Sequence, residues 1–179
     1  MSLQGRIFIA RHGETVFNAA GRMQGDRLDT PLTRAGFAQA DIMGSALAAW
    51  LGTRQSLQLW SSPSGRALQT LAIIAEHIGE DWHQAAHDAR LQEINVGRWA
   101  GRTYAEIIAE QGDILDREHG LFSVRPPEGE WYDDIARRLD QPCLISGGAK
   151  GAGIQGGVQR ADALRQLDRQ PSPFVDLEG

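Results

Sequence analysis

The stretch Ile7-Phe8-Ile9-Ala10-Arg11-His12-Gly13-Glu14 decides the fold prediction. Its first four residues form a short apolar run with β-branched side chains, which is typical of a buried strand. The polar residues that follow mark the carboxyl end of that strand, the edge at which open parallel sheets bind their ligands. Arg11 and His12 are therefore expected at a ligand-binding edge of a sheet.

Strands and helices alternate downstream of this stretch. Thr33 is the expected N-cap of a first helix that ends at Gly52. A second strand, Leu57–Trp60, precedes a second helix with apolar residues at helical spacing up to Gly79. The remaining expected elements are a helix opened by the Thr103–Glu106 capping box, a short helix over Trp131–Leu139 and a strand over Cys143–Ile145.

This order of elements predicts an α/β fold, a three-layer α/β/α arrangement with a mostly parallel central sheet. The 179 residues suit a single domain over residues 1–179, because domains usually hold ~100–200 residues. The pattern weakens between Gly147 and Gly157, where glycines are frequent and a regular crossover helix is hard to sustain.

Charge and composition narrow the function classes. Lys and Arg total 18 against 23 Asp and Glu, a formal net charge of −5, so binding to nucleic acid is not expected. The apolar runs are too short to span a bilayer, and the N-terminus lacks the layout of a signal peptide. The single cysteine, Cys143, excludes an intramolecular disulfide and fits a reducing compartment. We expect a cytoplasmic protein with no membrane partner.

Three polar residues suit phosphate chemistry. A guanidinium can donate two hydrogen bonds to a phosphate, so Arg11 and Arg66, arriving from different strands, would orient a phosphoryl group. His12 lies beside Arg11, and a neutral imidazole is a competent nucleophile near pH 7. The residues therefore favour attack on phosphorus by His12.

The segment Arg11-His12-Gly13-Glu14-Thr15 resembles the signature of the histidine phosphatase superfamily, in its phosphoglycerate mutase-like branch, which contains both mutases and phosphatases. The resemblance extends over residues 5 to about 140. Further segments follow in the family's order: Gln24-Gly25, Leu28 to Thr33, Ser62 to Thr70, Leu91 to Gly101 and Pro127 to Glu130.

The resemblance implies roles for individual residues. His12 would be the nucleophile that forms a phosphohistidine, and Glu93 would be the general acid and base. Arg11, Asn18, Arg66 and Gln24 would bind the phosphate. No metal and no cofactor is implied, because these cationic and amide groups stabilise the charge.

The implied function is a phosphatase acting on a small phosphomonoester, and the sequence sets neither the substrate nor the oligomeric state. A mutase that returns the phosphoryl group to a bound product is the nearest alternative.

One position departs from the family pattern. Gly147 stands where the family has a second histidine after a late strand, so one hydrogen-bonding group of the phosphate site would be missing. A missing stretch of chain, a replacement at this position and a natural variant with an incomplete site remain three explanations. The departure also keeps open a third function, that of a catalytically impaired phosphate-binding protein.

Overall fold

A computed structural model describes residues 7–52, 57–116, 118, 121–140 and 174–177. The chain divides into two compact units, one formed by residues 11–131 and the other by residues 1–10 with 132–179. The single domain over residues 1–179 stays a prediction. The predicted strand at Cys143–Ile145, the glycine-rich stretch and Gly147 lie outside the described residues.

Helices and strands alternate along the described residues. The helices are α1 to α5, which cover Val16–Ala19, Arg34–Leu51, Gly65–Ile78, Tyr104–Gln111 and Tyr132–Leu139. The strands are β1 to β6, which cover Ile7–Ala10, Trp60–Ser61, Ala86–His87, Leu115–Asp116, Leu121–Phe122 and Phe174–Leu177. This mixture confirms the predicted α/β class, and none of these helices is long and apolar enough to cross a membrane.

The strands of the described residues pair in three two-stranded ladders. β2 and β3 are parallel, with Trp60 opposite Ala86, whereas β4 and β5 form an antiparallel pair. In the other unit β1 pairs with β6 in antiparallel register, with Ile7 opposite Leu177. β1 has the predicted bounds, whereas β2 is found at Trp60–Ser61 because its partner strand offers only two residues for pairing.

Two long helices contribute part of the core of the unit formed by residues 11–131, and the loops and shorter helices contribute the rest. α2 begins at the predicted cap, where the Thr33 hydroxyl accepts a hydrogen bond from the Gly36 amide at 3.1 Å. α3 ends at Gly79, whose left-handed backbone (φ 71°) suits a residue without a Cβ. The two helices pack against each other through a shared face that includes Ala40, Met43, Leu47, Ile74 and Ala75.

The shorter helices follow the predictions from local sequence. α4 begins with the expected capping box, in which Thr103 and Glu106 exchange hydrogen bonds. α5 starts one residue later than predicted. Between α3 and α4 the chain runs through three short 3-10 turns, and the last of these buries Trp99 completely.

Candidate active site

The histidine loop, residues 11–14 directly after β1, determines which ring nitrogen of His12 carries the proton. The His12 Nδ1 atom lies 2.7 Å from the Gly13 carbonyl oxygen. A carbonyl oxygen only accepts hydrogen bonds, so Nδ1 carries the proton and donates it. In the neutral ring this leaves the lone pair on Nε2, which lies 3.5 Å from the Gln24 amide nitrogen, a group that can only donate. The neutral ring is therefore held with its lone pair on Nε2.

The surroundings of His12 favour the neutral ring. Burial lowers the pKa of His12 below its ordinary value, and the hydrogen bond to Gly13 opposes that effect. The positive charges of Arg66 and Arg11 lower the pKa further, whereas the Glu93 carboxylate raises it. The net direction is downward, so His12 is largely unprotonated at neutral pH and its Nε2 lone pair is available.

A close backbone contact holds the histidine loop against the first turn of α2. A Cβ on Gly13 would lie 2.2 Å from the Gly36 carbonyl oxygen, and a Cβ on Gly36 would lie 2.1 Å from the Glu14 carbonyl oxygen. Both distances are far shorter than a carbon and an oxygen allow, so each position requires glycine. The glycine of the Arg-His-Gly segment is thus needed for packing as well as for chemistry.

Arg66 lies on the first turn of α3 and is almost completely buried, with 2% of its surface exposed. Its Nη1 atom donates to the Arg27 carbonyl (2.8 Å) and to the Thr30 hydroxyl (2.9 Å), and Nη2 donates to the Gly25 carbonyl (2.8 Å). The Nε–H group is buried and has no hydrogen-bond partner among the described residues. The guanidinium is therefore fixed by three neutral oxygens and keeps donors for an anion.

Thr15 links the two amide side chains that the resemblance assigned to phosphate binding. The Thr15 hydroxyl lies 2.9 Å from Asn18 Oδ1 and 2.8 Å from Gln24 Oε1, and its one proton can serve one of them at a time. The Thr15 amide donates to Asn18 Oδ1 as well, at 3.0 Å. Both carboxamide oxygens are thus engaged with buried Thr15, and the Gln24 NH₂ group lies against His12 Nε2.

Glu93 is exposed, and the loop around it is held by the segment Pro127 to Glu130. One Glu93 oxygen accepts from the Ile94 amide at 3.1 Å. The Glu130 carboxylate accepts from the Asn95 amide at 2.9 Å, and the Glu130 amide donates to the Asn95 carbonyl at 2.8 Å. This double contact fixes the backbone two residues after Glu93.

The Glu93 charge reaches several groups of the site. It raises the pKa of His12, and it partly offsets the lowering of the Arg66 pKa that burial causes. Burial raises the pKa of Tyr104, the Glu93 carboxylate raises it further and Arg11 lowers it. The structure thus brings His12, Arg66, Glu93 and Arg11 into one electrostatic neighbourhood, in which Tyr104 also lies.

Sequence reasoning missed several residues of this neighbourhood. Thr15, Thr30 and Thr70 are buried hydroxyls that hold the polar side chains, and Tyr104 stands beside Glu93. Thr70 carries one signal in the sequence, since it follows Arg66 by four residues on a helix and therefore lies on the same face. Thr15 carries a local signal too, because it is the N-cap of α1 and contacts Asn18 three residues on, whereas the contacts of Thr30 and Tyr104 join residues more distant in sequence. The position of the expected second histidine, Gly147, lies outside the described residues.

A neutral histidine with its lone pair on Nε2, in the field of a buried arginine on an α/β scaffold, has the groups needed to bind and attack a phosphoryl group. That combination is typical of phosphoryl-transfer domains with a histidine nucleophile. The sequence model of the histidine phosphatase superfamily (branch 1) matches residues 7–143. The chain belongs to this superfamily, as its motifs had predicted.

Some related proteins are named for phosphoglycerate mutase activity and others for phosphatase activity. The chain is 33% identical over 196 aligned residues to a probable phosphoglycerate mutase GpmB of Yersinia pestis, covering 95% of this chain and 87% of that protein. It is 36% identical over 139 residues to a 6-phosphofructo-2-kinase/fructose-2,6-bisphosphatase of Caenorhabditis elegans, covering 75% of this chain but only 27% of that protein.

Solved structures share the fold. A mycobacterial glucosyl-3-phosphoglycerate phosphatase, determined with VO3, matches with a TM-score of 0.58 at 35% identity, over 74% of this chain and 62% of that chain. A putative alpha-ribazole-5'-P phosphatase from Escherichia coli matches with a TM-score of 0.56 at 25% identity, over 75% and 63% of the two chains. This chain therefore spans less than two thirds of these two phosphatases, and the predicted phosphoglycerate mutase-like α/β fold is confirmed.

Proposed function

We propose that this chain is a phosphomonoester phosphatase that works through a phosphohistidine on His12. The observation that carries the proposal is the tautomer of His12: its Nδ1–H is held by the Gly13 carbonyl, so Nε2 presents its lone pair next to the buried charge of Arg66. The phosphatase names among the related structures support the choice of hydrolysis. The substrate class is a small phosphorylated molecule.

In the first step the Nε2 lone pair of His12 attacks phosphorus, and the bond from phosphorus to the ester oxygen breaks. The protonated Glu93 carboxyl gives its proton to the leaving oxygen, so the product leaves as a neutral alcohol. Arg66 donates from its buried Nε–H and stabilises the charge that builds up on the phosphoryl oxygens. Arg11, Asn18 and Gln24 supply the further donors.

In the second step water attacks the phosphohistidine. The Glu93 carboxylate takes a proton from the water, the bond from phosphorus to nitrogen breaks, and its electron pair returns to Nε2 of His12. Inorganic phosphate leaves, and Glu93 is again protonated for the next cycle. The cationic and amide donors carry the charge in both steps, so turnover is expected with a chelator present.

Hydrolysis of p-nitrophenyl phosphate in the presence of a chelator tests the nucleophile. His12→Ala is expected to lower turnover ~1000-fold or more, as removal of a covalent nucleophile does. His83→Ala, at an exposed histidine in a 3-10 turn, is the matched control and should turn over like the unchanged chain. Equal turnover of the two variants would exclude His12 as the nucleophile.

Glu93→Gln tests the acid with a pair of leaving groups. A p-nitrophenolate leaves without help, whereas an alkoxide needs a proton, so the substitution should reduce hydrolysis of an alkyl phosphate far more than that of p-nitrophenyl phosphate. An equal reduction for both substrates would assign Glu93 to binding instead.

Phosphoglycerate mutase activity is the second candidate, and the Yersinia relative named for it covers most of both chains. Labelled phosphate that moves from the ester to a second hydroxyl, instead of to water, would favour the mutase. Gly147→His is a separate arm of the test, because it restores the histidine that the family has at this place. A chain that binds vanadate but turns over in none of these variants would be a phosphate-binding protein.

A further inference from the structure

We infer that Thr70 is a positioning residue that sets the distance between the nucleophile His12 and the phosphate-binding Arg66. The inference rests on the proposed function and goes beyond it, because Thr70 has no chemical role in either step. It lies on α3, one helical turn after Arg66, and 3% of its surface is exposed.

A continuous chain of hydrogen bonds runs from the imidazole to the helix that carries the arginine. The His12 Nδ1–H donates to the Gly13 carbonyl at 2.7 Å. The Gly13 amide in turn donates to the Thr70 hydroxyl at 3.1 Å, across 57 residues of sequence. The Thr70 hydroxyl donates to the Arg66 carbonyl at 2.8 Å. Both catalytic side chains thus depend on one buried hydroxyl.

The direction of each hydrogen bond is fixed by chemistry. The Arg66 carbonyl can only accept, so the single Thr70 proton points toward it. The Thr70 oxygen must then turn a lone pair toward Gly13, whose amide can only donate. The hydroxyl therefore has one orientation, and it locks the Gly13 backbone to the first turn of α3. An aliphatic side chain of the same shape can make neither bond.

The proposed mechanism explains why this link matters. The oxygens of Gly25, Arg27 and Thr30 hold the Arg66 guanidinium on its other side. The position of a bound phosphate is therefore set by α3 and by the loop that contains these three residues. His12 follows a different strand and reaches α3 through Gly13 and Thr70. Without this link the histidine loop loses its hydrogen bond to α3 and keeps only its contacts with α2, and a misplacement of the attacking nitrogen by ~1 Å can reduce a rate ~100-fold.

Thr70→Val is the test variant, because it keeps the shape of the side chain and removes both hydrogen bonds. We expect its turnover of p-nitrophenyl phosphate to fall about 10- to 100-fold, while inhibition by inorganic phosphate, which Arg66 would bind without a bond to His12, changes less than about 3-fold. Thr70→Ser keeps the hydroxyl and should restore turnover to within about 3-fold of the unchanged chain. Turnover of Thr70→Val at the original rate, or failure of Thr70→Ser to rescue it, overturns the inference.

Ile74→Val controls for a loss of stability. Ile74 is buried on the same helix one turn further on, and its truncation destabilises the packing of α3 without touching Gly13. Thermal unfolding of both variants shows whether they are destabilised to a similar extent. Ile74→Val should keep its turnover. A loss of turnover in Ile74→Val as large as that in Thr70→Val would show that Thr70 acts only by stabilising the fold.

A second readout does not depend on catalysis. The hydrogen bond to Gly13 raises the pKa of His12, so loosening Gly13 should lower that pKa in Thr70→Val, and it should stay unchanged in Ile74→Val. The ring signals of the five histidines can be followed by NMR against pH and assigned with His12→Ala. If the unchanged chain turns over no substrate, the proposed function fails, and the His12 titration alone decides on Thr70. An unchanged pKa in Thr70→Val would then reject the link.

Discussion

Replacement of Gly36 by alanine should damage turnover although Gly36 touches no catalytic atom. The added Cβ would lie 2.1 Å from the Glu14 carbonyl oxygen, and Cβ atoms essentially never approach other atoms closer than 3.0 Å. The Glu14 backbone and α2 therefore have to separate by about 0.9 Å. Neither partner is a side chain that can rotate away. Glu14 follows His12 by two residues, so we expect the histidine loop to take up much of the shift.

The size of this effect follows from the geometry. A displacement of ~1 Å at the nucleophile corresponds to a ~100-fold loss in rate, so kcat of Gly36→Ala should fall about 10- to 100-fold. Forcing an atom into a packed interior costs ~1–3 kcal/mol, and the better helix propensity of alanine returns ~1 kcal/mol of this. The net loss of stability is small, and the variant should still fold.

Steady-state hydrolysis of p-nitrophenyl phosphate, with thermal unfolding alongside, measures both effects. Gly44→Ala is the matched control, because it is the same substitution in the same helix, and the three atoms nearest to its Cβ would all belong to the side chain of His77. That side chain can rotate away and release its hydrogen bond to Asp41. The reasoning is refuted if Gly36→Ala keeps its turnover, or if Gly44→Ala loses as much.

Three further outcomes are expected. Thr30→Val leaves a buried Arg66 donor without an acceptor, which should destabilise the fold by ~2 kcal/mol and weaken vanadate inhibition. Thr30→Ser should restore both, and weak inhibition in Thr30→Ser would contradict this. The pKa of His12 is lowered on folding, so the unfolded chain binds more protons than the folded chain. The free energy of unfolding, measured in urea relative to His12→Asn, should therefore decrease as the pH falls below ~6.5. A difference that stays flat on acidification would count against the burial of a neutral ring. Thr103→Ala removes the hydroxyl that accepts from the Glu106 amide and should cost ~1 kcal/mol in urea unfolding, with no change in the pKa of His12.

The helices were predictable because the signals that define them are local. Thr33 and Thr103 cap their helices through amides three residues away, and Gly79 ends α3 in a conformation that the sequence already favours. Strand β2 was less predictable. The apolar run Leu57–Trp60 indicated a strand, but pairing begins only at Trp60, because the partner Ala86–His87 decides which residues form the ladder.

The same distinction separates the candidate site residues that the sequence indicates from those that it does not. Arg11, His12 and Arg66 stand in recognisable segments, and their chemistry suggested their roles. Thr30 was missed because its contact with Arg66 joins residues 36 positions apart, and packing alone brings them together. Tyr104 gave no signal, since only the fold shows that it stands beside Glu93.

The three neutral oxygens around the Arg66 guanidinium couple the binding of an anion at this side chain to the stability of the fold. A guanidinium enclosed by two carbonyls and a hydroxyl retains its full positive charge, and a buried charge without a counter-ion is unfavourable. Among the described residues, the Glu93 and Asp26 carboxylates act on this charge, and a phosphoryl dianion bound as proposed would add to them, so inorganic phosphate should raise the melting temperature once its concentration exceeds its Kd. A substitution that changes the surroundings of Arg66 should therefore alter phosphate affinity and the stability of the native state together.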